Sequence, residues 1–417
     1  MTSLAAGLAP AAGRWAVVLA GAVSLAVAMG IGRFAFTPLL PMMLHDGAID
    51  LPAASWLASA NYLGYLAGAL LCTFQPWIWA RAPRLPPVNG PWLVRAGLVA
   101  TGVLTLGMAL PLPGAWPLLR FGAGVASAMV FVYTSGWVLS QMALLQAPAM
   151  GGVMYTGPGV GIVVSGLLAS VMVQWQWHAA DAWLVFGVLA FVLSALVWRS
   201  FRGGETPRPA ATASAAVAPA GERHGAVELG VLCVAYGIAG FGYIVTATFL
   251  PVIARAALPG SPWLDLFWPI FGFGVFCGAL IASRLRVSGD LRLLLAGGYF
   301  IQAAGIAVGV WSPSLAGFAL GSLMLGLPFT AITFFAMQEV RRLRPALAAS
   351  TMGLATAMYG IGQIVGPPLV ALLLRHSGSA GTGFRLSLQI AMCALLGGAL
   401  LYLWMLRAYP MRRGAPA

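Results

Sequence analysis

Twelve long apolar runs constrain the fold of this chain more than any other sequence feature. Each run is long enough to cross the hydrocarbon core of a membrane, which needs about 20 residues in a helix. Hydrophobic residues make up 60% of the 417 positions and charged residues only 7%, which leaves too little polar surface for a soluble globule of this size. We therefore predict an all-α membrane protein with twelve transmembrane helices.

The runs fall into two sets of six. In chain order, the first set covers residues 15–44, 52–75, 92–110, 116–143, 150–173 and 182–199. The second set covers residues 227–257, 262–283, 291–311, 315–338, 346–374 and 385–407. Between them lies a segment rich in alanine, proline and glycine without apolar periodicity, which is typical of a flexible linker. We predict an N-terminal bundle over 1–199, a cytoplasmic linker over 200–226 and a C-terminal bundle over 227–417.

The distribution of arginine predicts the orientation in the membrane. All 22 basic residues are arginines, and with the N-terminus in the cytoplasm 17 of them lie on the cytoplasmic side. Only Arg255, Arg375 and Arg385 lie on the outer side, and two more lie inside spans. Because cytoplasmic loops carry an excess of basic residues, we predict that both termini are cytoplasmic. The net charge of +13 then reflects topology, and no soluble basic domain is available to bind nucleic acid.

The second set of runs repeats the first. When the first span is laid on the seventh without a gap, four groups of residues coincide: Gly30-Ile31-Gly32 with Gly240-Phe241-Gly242, Leu40-Pro41 with Leu250-Pro251, Gly64 with Gly274, and Gly68 with Gly278. Several matches at one offset indicate that a six-helix unit was duplicated. Because six is an even number, both copies keep the same orientation and are related by an axis along the membrane normal.

This organisation resembles the major facilitator superfamily (MFS) of transporters over the whole chain. Three segments resemble its bacterial YbfB/YjiJ-like branch more narrowly: GIGRFAFTPLLPMM in the first span, ANYLGYLAGALL in the second and RFGAGVASAMVFV in the fourth. The resemblance implies a secondary transporter of the bacterial inner membrane that works by alternating access. It also implies that the first, fourth, seventh and tenth spans line a central cavity. We expect a functional monomer.

Two motifs of the superfamily's drug and proton antiporters are matched in part. Four residues of the fourth span resemble the first motif: Arg120, Gly124, Ser127 and Ala128. The arginine of that motif is associated with coupling, so the resemblance implies a coupling role for Arg120, although Ala123 replaces the usual glutamine. Gly157-Pro158 with Gly161 resembles part of the fifth-span motif.

Arg33 puts a charge inside the first apolar span, with glycines before it and Pro38 and Pro41 after it. An arginine at the centre of a bilayer costs about 2.5 to 3.5 kcal/mol, so such a residue usually faces the interior of a bundle. Its partner in the repeat is Tyr243, so the predicted cavity has one positive side and one neutral, hydrogen-bonding side. This pairing suits an anion held by a two-pronged guanidinium. Two alternatives remain open: Arg33 binds backbone carbonyls beside the prolines, or it extends to the outer interface.

Further candidates fall into two groups. Five polar residues inside the predicted spans are candidates for substrate binding, and each has helix packing as an alternative role: Asn61, Tyr133, Thr246, Tyr359 and Gln363. Six glycines are spaced so that helices can approach closely, and we predict a packing role for them: Gly64, Gly68, Gly157, Gly161, Gly274 and Gly278.

The positions of the acids, histidines and cysteines reduce the number of possible functions. The nine acids and four histidines lie in loops or near span ends and the four cysteines are far apart, so the sequence predicts no metal site, no cofactor and no enzyme active site. The absence of a carboxylate at the midplane also disfavours a proton carrier. We predict a secondary transporter of a small organic anion, such as a carboxylate, whose partners are this solute and membrane lipid. The alternatives are a proton-coupled exporter of drugs or metabolites, favoured by the antiporter motifs, and a non-transporting membrane sensor on the same fold.

Overall fold

The computed structural model describes residues 11–81, 89–201, 223–261, 263–285, 289–344 and 348–410. Helices make up nearly all of these residues. Most of the predicted linker, residues 202–222, lies outside the described part of the chain. The linker and the division into two bundles therefore remain predictions.

Fourteen α-helices run through the described residues. In the N-terminal half they are α1 (Ala11–Leu25), α2 (Phe36–His45), α3 (Leu51–Arg81), α4 (Gly90–Gly107), α5 (Trp116–Leu144), α6 (Gly157–Gln174) and α7 (Ala179–Val197). In the C-terminal half they are α8 (Arg223–Ala257), α9 (Phe267–Arg284), α10 (Leu291–Trp311), α11 (Leu315–Gly326), α12 (Phe329–Leu343), α13 (Ala348–His376) and α14 (Ala380–Ala408). Short helical turns also occur at Ala26–Ile31, Pro148–Thr156, Trp198–Phe201 and Leu264–Leu266.

Eleven helical segments of the described chain are long and apolar enough to cross a membrane. They account for eleven of the twelve predicted spans. The third predicted span, 92–110, corresponds to α4, which has only 18 residues and carries Arg95. With a rise of about 1.5 Å per residue, it is about 27 Å long, slightly less than a typical hydrocarbon core of about 30 Å. This short helix packs against α5 and α7.

Two of the predicted cavity-lining spans are interrupted. The tenth, predicted as continuous over 315–338, is two helices, because Pro328 has no backbone N–H and its ring crowds the preceding turn. The helix therefore stops at Gly326 and restarts at Phe329. The first span is also divided, with α1 ending at Leu25 and α2 beginning at Phe36.

Helix packing follows the order expected from the repeat. In the N-terminal half α3 packs on α5, and in the corresponding part of the C-terminal half α9 packs on α11 and α12. Likewise, α6 packs on the turn that follows α1, and α13 packs on α8. The two halves of the chain meet mainly where α3 lies against α13 and where α6 lies against α9.

The six glycines predicted to pack lie where helices meet at their backbones. A Cβ atom added at Gly64 would lie 1.9 Å from the carbonyl oxygen of Phe121, and one at Gly278 would lie 1.8 Å from that of Leu327. The other four also face backbone atoms: Gly68 at Val125, Gly157 at Ala22, Gly161 at Ala26 and Gly274 at Leu323. Only a residue without a side chain fits at such distances.

Gly64→Ala should lower thermal stability, because its methyl group would push α3 away from the carbonyl of Phe121. Overpacking of this kind costs about 1–3 kcal/mol. The matched control is Gly136→Ala on α5, where nothing lies within 4 Å of an added Cβ. The melting temperature of each purified variant in detergent measures the effect. Equal melting temperatures for the two variants would contradict the packing role.

A cluster of charges lies at one end of the C-terminal half. Arg292 is fully buried and donates hydrogen bonds to Asp290 at 2.7 Å and to Glu228 at 2.9 Å. It also donates to two backbone carbonyls at the end of α14. Arg342 pairs with Glu339 beside it. Nε of Arg292 also lies 3.6 Å from Glu339, so the contacts join the ends of α8, α10, α12 and α14.

Asp290→Asn should destabilise the protein at neutral pH but not in acid. Burial raises the pKa of Asp290, but hydrogen bonds and the charge of Arg292 outweigh it, so this pKa lies below its usual value. A depressed folded-state pKa adds stability above the unfolded pKa of about 3.9, and that stability is lost as the pH falls through the folded value. The difference in melting temperature between wild type and Asp290→Asn should therefore be constant from about pH 8 to pH 5 and shrink below about pH 4.

The control for this measurement is Asp181→Asn, because Asp181 is an exposed residue in the first turn of α7. We expect it to change the melting temperature less at neutral pH. A difference for Asp290→Asn that does not vary with pH would show that the negative charge of Asp290 contributes nothing to stability.

Candidate functional site

Arg33 lies in the break of the first span. Around it, the N–H groups of Gly32 and Phe34 donate to carbonyls five residues back instead of four, at Val27 (3.0 Å) and Met29 (2.9 Å). The turn is therefore wider than an α-helix, a feature that is frequent at functional sites. The Arg33 side chain is only 3% exposed, so it does not extend to the membrane interface.

The guanidinium of Arg33 contacts the C-terminal half through Gln363. Nη2 donates to Oε1 of Gln363 at 2.6 Å, and Nε2 of Gln363 donates to the hydroxyl of Tyr243. Arg33 and its predicted repeat partner Tyr243 therefore meet at the same amide. Nε of Arg33 is also buried, and it has no hydrogen-bond partner in the described part of the chain.

Aromatic rings surround the charge on the N-terminal side. The guanidinium carbon of Arg33 lies 4.1 Å from the ring centroid of Tyr65, 5.2 Å from that of Tyr62 and 5.4 Å from that of Phe34. Each cation–π contact contributes about 0.5 to 2 kcal/mol, depending on desolvation. These rings offset part of the cost of a buried charge, but they do not neutralise it.

On the C-terminal side, tyrosines form a stack. The ring of Tyr359 lies 4.6 Å from that of Tyr236 and 5.9 Å from that of Tyr243, nearly parallel to both. Phe329, the first residue of α12, meets Tyr243 edge-on at 4.8 Å. We define the Arg33 cluster as Arg33, Tyr62, Tyr65, Tyr243, Tyr359 and Gln363.

No acid pairs with Arg33 among the described residues. The ion pairs of these residues lie elsewhere, in the Arg292 cluster, between Arg255 and Asp265, and at Asp46. A buried cation without a counter-ion normally costs several kcal/mol or more. The Arg33 cluster is therefore an electropositive site lined by neutral rings and one amide.

Arg120 occupies a different environment. It is 2% exposed and donates Nη1 to the carbonyl of Gly32 at 3.2 Å and Nη2 to the carbonyl of Arg33 at 3.1 Å. Arg120 thus binds two carbonyls in the break of the first span, whereas the side-chain hydrogen bond of Arg33 in the described residues goes to Gln363. The coupling role implied for Arg120 remains a prediction.

Three other predicted binding residues lie outside the cluster. Asn61 is buried at the contact of α3 with α5, where its amide donates to the carbonyl of Arg120 at 2.9 Å. Tyr133 lies on α5 near Cys72 of α3. Thr246 lines a small cavity among α8, α10, α11 and α14, and its hydroxyl has no partner in the described part of the chain. Of the candidate ligands, the structure brings together Arg33, Tyr243, Tyr359 and Gln363.

Hydrogen bonds join the two halves of the chain on one side of the cluster. Thr37 donates to the carbonyl of Ala247 at 3.1 Å, and Ser59 donates to the carbonyl of Ile364 at 3.1 Å. Tyr62 shares a hydrogen bond of 2.9 Å with Thr248. All three contacts lie toward the end of the bundle where α2 ends and α3 begins. We call these three hydrogen bonds the seal.

Tyr62 and Tyr65 of the cluster, and Tyr236, which stacks on Tyr359, were not predicted as site residues. Their spacing contained a signal, since Tyr62 and Tyr65 are three residues apart on α3, and Tyr236 and Tyr243 are seven apart on α8. These intervals put each pair on one face of its helix. Aromatic residues are common in membrane spans, so the spacing alone did not distinguish a site from packing.

Comparison with known proteins places these features in a family context. The family model described as "Uncharacterised MFS-type transporter YbfB" matches residues 25–403. A chloramphenicol resistance protein of Streptomyces lividans is 26% identical over 388 residues, which cover 88% of this chain and 92% of that protein. The uncharacterized MFS-type transporter YceJ of Bacillus subtilis (strain 168) is 25% identical over 391 residues, with the same coverage of both chains.

A solved structure shares the fold. A mutant form of the nucleoside transporter NupG superposes with a TM-score of 0.71 and covers 93% of this chain and 99% of its own, at 13% sequence identity. This likeness establishes the MFS fold, which confirms the predicted all-α architecture. At this identity it carries no information about the solute.

Proposed function

This chain belongs to the YbfB family of MFS-type transporters, and on that premise we propose that it moves a small organic anion across the bacterial inner membrane by alternating access. Membership establishes a multi-pass membrane transporter of a small molecule and excludes an enzyme. The anionic substrate, the transport mechanism, the cytoplasmic termini and the monomeric state belong to the proposal.

One observation carries the choice of an anion, namely the unfilled edge of the Arg33 guanidinium. Nε and Nη2 lie along one edge of this group and match the two oxygens of a carboxylate. In the structure Nη2 is bound only by the neutral amide of Gln363, and Nε by nothing in the described residues. A carboxylate that replaced the amide oxygen would satisfy both nitrogens and neutralise the charge.

The surroundings support a substrate with one negative charge and a flat or apolar body. Both terminal nitrogens of Arg120 donate to backbone carbonyls and only its Nε lacks a partner, whereas Arg33 has its Nε unpartnered and its Nη2 bound by a neutral amide. The rings of Tyr65 and Tyr359 flank the site and offer apolar faces. The hydroxyl of Tyr243 adds a neutral hydrogen-bonding group beside the charge.

Alternating access is supported by the placement of the seal. Under the predicted orientation, the seal lies on the outer side of Arg33. Tyr65 and Tyr359 lie on the cytoplasmic side of it and are only partly buried. With this orientation, the seal closes the Arg33 cluster toward the outside, and its less buried rings face the cytoplasm. Breaking the three hydrogen bonds of the seal, together with the bond from Arg33 to Gln363, would open it to the other side.

Counterflow into liposomes tests the proposal. Protein reconstituted at pH 8 in vesicles loaded with benzoate should accumulate labelled benzoate, whereas benzamide, its neutral isostere, should neither drive nor inhibit the exchange. Protein-free vesicles measure passive leak. If neutral or cationic solutes exchange and no carboxylate in a panel competes, the anion proposal fails.

A second function, export of a neutral amphipathic compound, is favoured by one observation. The relative from Streptomyces lividans is a chloramphenicol resistance protein. Rings stacked around Tyr359 would suit such a solute as well. Expression of this chain in a drug-sensitive strain, with the minimal inhibitory concentration of chloramphenicol as readout, separates the two functions. Resistance that persists after Arg33→Met would favour neutral export.

A further inference from the structure

The break in the first span leaves backbone carbonyls without their usual donors. Pro38 has no N–H, and the N–H of Thr37 turns instead to the carbonyl of Phe34 at 3.2 Å. In a regular helix the N–H of Thr37 would bind the carbonyl of Arg33. A buried carbonyl without a donor is costly, so a donor must come from another helix.

Arg120 on α5 supplies that donor. Its two terminal nitrogens bind two consecutive carbonyls, those of Gly32 and Arg33, at 3.2 and 3.1 Å. The guanidinium also lies 4.9 Å from the ring centroid of Phe36. A planar fork with two donors matches two neighbouring carbonyls better than a lysine or an amide does.

The same face of α5 holds the other side of the break. Ser127, seven residues after Arg120, has its hydroxyl 2.7 Å from the carbonyl of Ala28 and 2.7 Å from that of Ala123 on its own helix, so the two carbonyls share its single proton. The N–H groups of Gly32 and Phe34 do not bind the carbonyl of Ala28, because they donate to the carbonyls of Val27 and Met29. Arg120 and Ser127 thus fix the backbone on both sides of Arg33.

Contacts with α3 hold the backbone of α5 in place. Asn61 on α3 donates to the carbonyl of Arg120 at 2.9 Å, and the two helices touch at Gly124, where an added Cβ would lie 2.1 Å from the carbonyl of Asn61. The position of the Arg120 guanidinium is therefore set by a rigid helix pair and not by a flexible loop.

We infer that Arg120 is a positioning residue, which holds the backbone of Arg33 so that its guanidinium meets the substrate. The inference rests on the proposed function, in which Arg33 binds the anion. It differs from the coupling role that the antiporter motif implies for Arg120. A coupling residue would change its contacts with the driving ion, whereas both terminal nitrogens of this guanidinium are hydrogen-bonded to the backbone of the first span.

Transport kinetics separate these roles. Arg120→Gln should raise the KM for benzoate counterflow about 10-fold while the maximal rate changes about twofold or less, because the defect lies in binding. Any uptake that a pH gradient drives should show the same increase in KM as counterflow does. If counterflow keeps its wild-type KM and only gradient-driven uptake is lost, Arg120 is a coupling residue and the inference is wrong.

Hydrogen–deuterium exchange tests the positioning without any substrate. In Arg120→Gln, the amides of residues 29–37 should exchange faster, while those of α8 and α13 stay as in wild type. Unchanged exchange over 29–37 would overturn the inference, even if benzoate is transported. Conversely, faster exchange in a protein whose wild type carries no benzoate would support the positioning and reject the proposed function.

Two further variants guard against a simple loss of folding. Arg120→Lys keeps a positive donor, so it should recover part of the wild-type KM and of the slow exchange over residues 29–37. Arg385→Gln changes an exposed arginine on α14 and should leave both measurements as in wild type. If Arg120→Lys and Arg120→Gln are equally defective, the charge-assisted clamp is not what positions Arg33.

Discussion

Replacing Arg33 with methionine should abolish benzoate counterflow without unfolding the protein. A two-pronged hydrogen bond between a guanidinium and a carboxylate contributes about 3 kcal/mol, so affinity should fall by about 100-fold. The melting temperature should rise or stay the same, because methionine removes a buried charge that has no acid partner in the described part of the chain. Loss of binding combined with an unchanged or raised melting temperature is the expected signature.

This signature separates a ligand from a structural residue. If Arg33 mainly stabilised the bundle through Tyr62, Tyr65 and Gln363, the variant would melt earlier and all solutes would be affected. The matched control is Arg385→Met, which removes an exposed arginine and should change neither property. Benzoate exchange within about threefold of wild type in Arg33→Met, a loss of less than 1 kcal/mol, would move the anion site away from this residue.

The sequence predicted the helices that carry this site better than it predicted the side-chain contacts within the site. Run lengths predicted the spans, and the cost of a charge in lipid predicted that Arg33 would face inward. The repeat also identified Tyr243 as its partner, and both residues now contact Gln363. These predictions rest on burial and on symmetry, which act over whole helices.

The roles of the two buried arginines could not be separated from sequence. The position of a proline shows which backbone N–H is missing. Which carbonyls then lack a donor is decided by the wide turn before the proline, and the sequence does not reveal that turn. Whether Arg33 or Arg120 reaches them depends on how α5 crosses the first span. The bond from Arg33 to Gln363, 330 positions away, depends on such packing in the same way.

Gln363→Glu should block the anion site from within. The new carboxylate would take the place of the amide oxygen on Nη2 of Arg33, and the hydroxyl of Tyr243 would donate to it. Because the guanidinium edge is then filled by a covalently attached acid, benzoate affinity should fall by about 100-fold. The melting temperature should hold or rise, since a buried cation gains a counter-ion.

Gln363→Met makes the opposite change at the same position. It removes the amide that competes for Nη2, so benzoate should bind as well as in wild type or more tightly, while stability falls because Nη2 and the Tyr243 hydroxyl lose a partner. Binding by thermal shift and counterflow on both variants measure the contrast. A transporter of neutral solutes would not distinguish the two substitutions by charge. If Gln363→Glu binds benzoate like wild type, the anion does not displace residue 363 from Arg33, and the guanidinium of Arg33 serves to join the two halves instead.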